Sequence, residues 1–391
     1  MPLNRSHLLF YNAHLITLGA DLNPGWLLTV GKTIPSLGLG QPPDFDQGSI
    51  IRIIDCHGMA LLPGFIDLHV HGAAGNEVMD ASAEKLADMA RFYARHGVTG
   101  FLATTWTAGH FETLNALRAV SIQMGQQADN EARILGVHLE GPYLNPARCG
   151  AQDIRHIRLA DQSEACDLLD SQLVRRLALA PEFPENLWLV DECVRRSVTV
   201  SAGHSDATFE QMQTAVEHGL SQVTHTFNAM RPFNHRQPGV VGAALLLPEL
   251  TCELICDLVH VHPAAVRLLA LAKSPDRILL ITDAVRPTGL PEGKYTIDER
   301  TVQVQAGAVR LTDGTLAGSV LTMERALQNF LSVTGLSLES AWQVSSLNAA
   351  RAAGFADHKG SLEPGKDADL VMLSPTFDVL TTVVEGVELA N

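Results

Sequence analysis

The sequence predicts an α/β protein: a (β/α)8 TIM-like barrel with a small β-sandwich domain formed by both chain termini. Three observations predict it. Short apolar, β-branched runs alternate with helical stretches through the middle of the chain, the pattern of parallel strands joined by helices. The 391 residues exceed the roughly 250 that eight such units need. The two ends share a different style, short alternating runs separated by turns. The expected division is 1–60 plus 347–391 for the small domain and 61–346 for the barrel.

Residues 7–18, 26–34 and 50–56 read as antiparallel strands. Residues 61–71 form the first barrel run. Ser82 can cap a helix that places Leu86, Met89 and Tyr93 on one face, and Gly97 stops it. Strand-like runs follow at 99–104, 134–140, 198–202, 222–226, 254–258 and 278–283, with helical stretches such as 209–219 and 264–273 between them. These make seven strands. The eighth is expected near 314–319, beyond an insertion at 295–310 that reads as a hairpin. Residues 365–369 make a turn before 370–373, where the terminal style resumes. Chain ends often lie close together, so both can build one small domain around an inserted barrel.

Composition narrows the function. Lys+Arg number 28 against 43 Asp+Glu, a net charge of −15, which disfavours nucleic acid and anionic membranes as partners. No apolar run approaches the roughly 20 residues that span a bilayer; the longest, 240–247, suits a buried strand or helix turn. Asn12 and His14 interrupt the apolar stretch after Arg5, so no secretory leader is expected. The six cysteines are scattered without a CxxC pair, which suits reduced thiols in the cytoplasm. Cys252 and Cys256, at helical spacing, read as core.

His69 and His71 flank one residue near the end of a strand, where positions i and i+2 share a face. Glu140, His204, His225 and Asp283 each end another strand-like run. A barrel delivers all these ends to one rim. Burying such groups unpartnered costs several kcal/mol, and a divalent cation resolves that cost. His138 shares the face of Glu140 but lies deeper, and reads as packed against the ligands rather than among them.

Segment 63–72, Pro-Gly-Phe-Ile-Asp-Leu-His-Val-His-Gly, resembles the opening motif of the amidohydrolase superfamily. Segments 138–143, 203–205, 224–230, 236–239, 257–261, 282–284, 316–319 and 365–370 narrow the likeness. Together they are similar to the N-acetylglucosamine-6-phosphate deacetylase family, over nearly the whole chain. The resemblance implies removal of the acetyl group from an N-acetylated sugar phosphate in a cytoplasmic homodimer. It implies metal ligation by Glu140, His204 and His225, with His69 and His71 as a further pair. One or two divalent ions per chain follow, zinc first, with iron, manganese or cobalt also suited to N/O ligands. Asp283 matches the acid/base and a metal ligand; Asn228, Ala229 and Arg236 match the phosphate site. His260 matches a substrate-contacting histidine that the family can supply across a dimer interface, and Leu316 lies in the loop near the acetyl group.

One position departs. The family usually has Lys-Gly-Ala-His where this chain has Cys149-Gly150-Ala151-Gln152. Gln152 can donate a hydrogen bond but carries no proton to give; His156 is the substitute if the loop is rearranged. The alternatives are deacetylation of N-acetylgalactosamine 6-phosphate or a related N-acyl amino sugar, and a non-catalytic sugar-phosphate-binding protein.

Overall fold

The computed structural model describes residues 7–19, 21–44 and 52–390. The start of the 50–56 run and the Arg5 end of the leader reading lie outside those residues.

Eight parallel strands form the barrel: Phe65–Val70, Val98–Thr105, Arg133–Glu140, Val174–Leu179, Thr199–Ala202, Gln222–Val223, Thr251–Ile255 and Ile278–Ile281. Each pairs with the next, and the Asp283 N–H donates to the His69 carbonyl at 2.9 Å to join the last to the first. Helices between the strands bury one apolar face. In Ala83–Arg95, Ser82 accepts from Lys85 N–H, and Leu86, Met89 and Tyr93 are buried. The apolar run at 240–247 forms the helix Gly239–Leu246.

The strand count needs one correction. The expected strand at 314–319 is not part of the barrel. Leu316–Ser319 instead ends a four-stranded antiparallel insertion with Gly293–Ile297, Arg300–Gln305 and Ala308–Leu311. The missing barrel strand is Val174–Leu179, fourth in order. Its Arg175-Arg176 pair breaks the apolar signature because Arg176 is buried in an ion pair. Cys252 lies within a strand rather than on a helix, though it and Cys256 are buried as expected. All six cysteines are free.

The N-terminal end of the barrel is plugged. Ile66, Leu68, Leu102, Leu135 and Leu279 pack against Ala349 and Ala350 of the helix Leu347–Ala352. The Asn348 amide donates to the carbonyls of Pro275 and Ile278, where the eighth strand starts.

Both chain ends share one eight-stranded sheet. Ala60–Pro63 lies between Leu8–Ile16 from the N-terminal part and Leu370–Leu373 from the C-terminal part. The sheet curls back: Lys32 and Ile34, in and beside the strand Thr33–Leu39, exchange backbone bonds with the turn at 365–368. This encloses a small core of Leu8, Phe10, Leu15, Leu27, Ile34, Leu61, Leu370 and Val383. We propose that the chain divides near residue 61, and that the helix Leu347–Ala352 belongs with the barrel it closes. No helix among the described residues is long and apolar enough to cross a membrane.

Candidate metal centre and active site

The C-terminal ends of the barrel strands converge as the sequence predicts. His204, His225 and Asp283 lie just past their strands with φ of 49°, 30° and 51°. Left-handed backbone at non-glycine residues costs roughly 1–2 kcal/mol each. Here it turns each side chain back over the barrel mouth.

Glu140 stands at the centre. Its Oε1 lies 3.1 Å from His204 Nε2 and 3.0 Å from His225 Nε2. Its Oε2 lies 3.1 Å from His71 Nε2 and 3.5 Å from His69 Nε2. Asp283 Oδ1 completes that second half, 3.3 Å from His71 Nε2 and 3.4 Å from His69 Nε2. All six side chains are buried. Two sets among the described residues have the spacing to hold a metal ion: His69, His71 and Glu140, and Glu140, His204 and His225.

These residues fit divalent cations. His69 Nε2 faces His71 Nε2 at 3.2 Å, and His225 Nε2 faces His204 Nε2 at 3.1 Å. Facing lone pairs repel unless a proton or cation lies between them. The carboxylates call for positive charge in the same place. Burial opposes charge on His69 and His71, yet Glu140 and Asp283 raise both above the ordinary imidazole value. Burial pushes Glu140 and Asp283 upward, but the histidines, His69 foremost, hold both below the usual carboxylate range.

The sequence did not point to the residues beneath this centre. Glu253 is fully buried and pairs with buried Arg176. Glu253 Oε2 lies 3.3 Å from His69 Nδ1 and accepts from His225 N–H at 3.0 Å. A carboxylate accepts only, so His69 carries its proton on Nδ1 and turns Nε2 toward Glu140. Burial pushes the Arg176 guanidinium down to about 9, with Glu140 opposing, so it stays cationic at neutral pH. A polar Glu inside an apolar strand was the available signal. His138 is packed as expected: its ring meets the His69 ring edge-on at 4.7 Å, and burial holds it well below the usual imidazole value, chiefly neutral. Trp106 stacks on His71 at 3.9 Å.

The pocket above is lined by Asn228, Ala229, His260 and Leu316 as well as Glu140, His204, His225 and Asp283. His260 lines its own chain's pocket, held through Nδ1 to Asp257 Oδ2 at 2.7 Å. Arg236 does not join them; it is exposed and contacts His235 Nε2 at 2.8 Å. Gln152 lines the pocket but is bonded to Glu140 and Thr107. His156 does not take its place; it lines a separate cleft with Asp153, Arg155 and Asp298.

A parallel barrel with imidazoles and carboxylates gathered at one rim is the arrangement of a metal-assisted hydrolase. The amidohydrolase family matches residues 60–389, and the chain belongs to that family. It is 42% identical over 331 residues to the N-acetylglucosamine-6-phosphate deacetylase of Lysinibacillus sphaericus, covering 84% of this chain and 85% of the relative. It is 38% identical over 328 residues to the N-acetylgalactosamine-6-phosphate deacetylase of Escherichia coli O157:H7, covering 83% and 86%. The crystal structure of N-acetylglucosamine-6-phosphate deacetylase from Pasteurella multocida superposes with a TM-score of 0.93 at 30% identity, covering 98% of this chain and all of that one.

Proposed function

We propose that this chain removes the acetyl group from N-acetyl-D-glucosamine 6-phosphate, giving glucosamine 6-phosphate and acetate. The observation that carries the reading is Asp283 beside the Glu140-bridged histidines, at the floor of a pocket that Asn228, Ala229 and His260 also line. One or two divalent ions held by His69, His71, Glu140, His204, His225 and Asp283 would lower the pKa of water toward about 7 and polarise the acetyl carbonyl. Zinc suits these N/O ligands, as do iron, manganese and cobalt. Asp283 Oδ1 accepts the proton as water attacks the amide carbonyl. The same carboxyl then returns it to the departing sugar nitrogen, acting as base and then as acid. Leu316 bounds the acetyl end, and the Asn228–Ala229 turn takes the phosphate.

The test is acetate release by chelator-stripped, zinc-reconstituted protein. N-acetylglucosamine 6-phosphate is expected to be the best substrate, ahead of its galacto epimer and far ahead of the unphosphorylated sugar. Faster turnover of the galacto epimer would transfer the assignment to that sugar. Equal rates with and without phosphate would remove the phosphate site.

We also propose a cytoplasmic homodimer. Among the described residues no guanidinium lines the pocket, and we assign that role to the exposed Arg236 of a second copy. Arg236→Ala and Asp283→Asn chains are each expected to be nearly inactive, while mixed and reassembled they recover activity. In that mixture one pocket combines an intact Asp283 with the partner's Arg236. Failure to recover, with mixed dimers demonstrated, would place Arg236 in its own chain's site.

A further inference from the structure

Gln152 is held at both ends of its amide. Its Oε1 accepts from the Thr107 N–H at 2.8 Å, and its Nε2 donates to Glu140 Oε2 at 2.6 Å. Thr107 also donates through Oγ1 to the Glu140 carbonyl at 3.0 Å. The main-chain N–H can only donate, so the amide has one possible orientation: oxygen toward Thr107, nitrogen toward Glu140. Gln152 is 4% exposed.

We propose that Gln152 is a positioning residue for Glu140 that makes the carboxylate a bridge between the two halves of the metal centre. Glu140 Oε1 is directed at His204 and His225, and Oε2 at His71 and His69. An sp² carboxylate oxygen has two lone pairs. On Oε2 the Gln152 N–H occupies one and leaves the other aimed at the His69–His71 half. Without that donor the carboxylate is free to rotate and turn both oxygens toward His204 and His225. A neutral amide also suits the place chemically. It supplies the hydrogen bond without adding positive charge beside a site that takes a cation. The neighbouring residue reinforces the design, since Trp106 stacks on His71 while Thr107 holds Gln152.

This inference rests on the metal-centre reading above, and the test separates the two. Cobalt(II) is titrated into chelator-stripped protein, with visible absorption following coordination and a competing chelator giving affinity. The parent is expected to take up two equivalents. Gln152→Met, which matches the length but lacks the donor, is expected to keep the first and bind the second about 10–100-fold more weakly. Gln152→His, which restores a donor, is expected to recover part of that loss. Thermal melts of the stripped proteins report whether each variant folds. Two equal equivalents in parent and Gln152→Met, with only KM raised, would overturn the positioning role and make Gln152 a substrate contact. Uptake of no cobalt by the folded parent would overturn the metal-centre reading itself.

Discussion

Replacing Asp283 by Asn is expected to lower kcat by about 10²–10⁴-fold, the usual worth of a positioned acid/base. KM should move far less, because the change removes a transition-state role rather than a substrate-binding one; metal is kept saturating, since one of its ligands loses its charge. The choice of Asn matters. Asp283 sits at φ 51°, and Asn is among the few residues that enter left-handed backbone readily. The variant therefore keeps the turn, the volume and an oxygen able to face His69 and His71, and loses only the ionisable carboxyl. Alanine would confound lost chemistry with added strain. A variant that retained kcat within about tenfold, with its full metal content, would assign the proton transfers to another group. Pre-steady-state acetate release checks that chemistry, not product departure, is the step that slows.

The largest expected loss of stability is at Glu253, away from the substrate. Glu253→Leu leaves the Arg176 guanidinium, 1% exposed, without its counter-charge. Breaking a buried pair from one side costs about 3–5 kcal/mol, which a denaturant titration reads directly. The double variant Arg176→Met/Glu253→Leu removes both charges and is expected to regain most of that loss. It should not regain the metal affinity, because His69 still lacks the acceptor that fixes its Nδ1 proton. Glu253→Gln is the complementary control, keeping an acceptor oxygen while discarding the charge. If the double variant regained stability and metal together, Glu253 would be purely structural. If the single variant were as stable as the parent, the pair would not contribute to the stability of the barrel.

Seven of the eight barrel strands were legible, and so were Glu140 and the five residues gathered around it. Both rest on local pattern: an apolar run, then a polar residue at its end. Val174–Leu179 was not legible, because its apolar pattern is interrupted by Arg175 and Arg176. Strand reading treats charge as a sign of surface, and the partner that makes Arg176 tolerable lies far along the chain at Glu253. The same blindness hid Glu253 itself. The 314–319 run was misassigned because its pattern shows that it is extended, not which sheet it joins. The role of Gln152 was hidden differently. Likeness to relatives marks a position as substrate-facing, but only coordinates show that its amide is already committed to Thr107 and Glu140. For Arg236, likeness implied a phosphate contact, whereas its exposed side chain meets His235 and lies outside the pocket lining.

The shared terminal sheet sets an order on the birth of the molecule. The Thr17 hydroxyl donates to the carbonyl of Leu362, 345 positions later, and Ala60–Pro63 waits for Leu370–Leu373 from much later in the chain. Synthesis proceeds from the N-terminus at about 5–20 residues per second. The opening strands therefore leave the ribosome tens of seconds before their partners exist. The barrel can wind while they wait, but the small core of Phe10, Leu61 and Leu370 closes only after the last strands emerge. Until then Ala60–Pro63 carries an edge without its partner strand, open to wrong pairing.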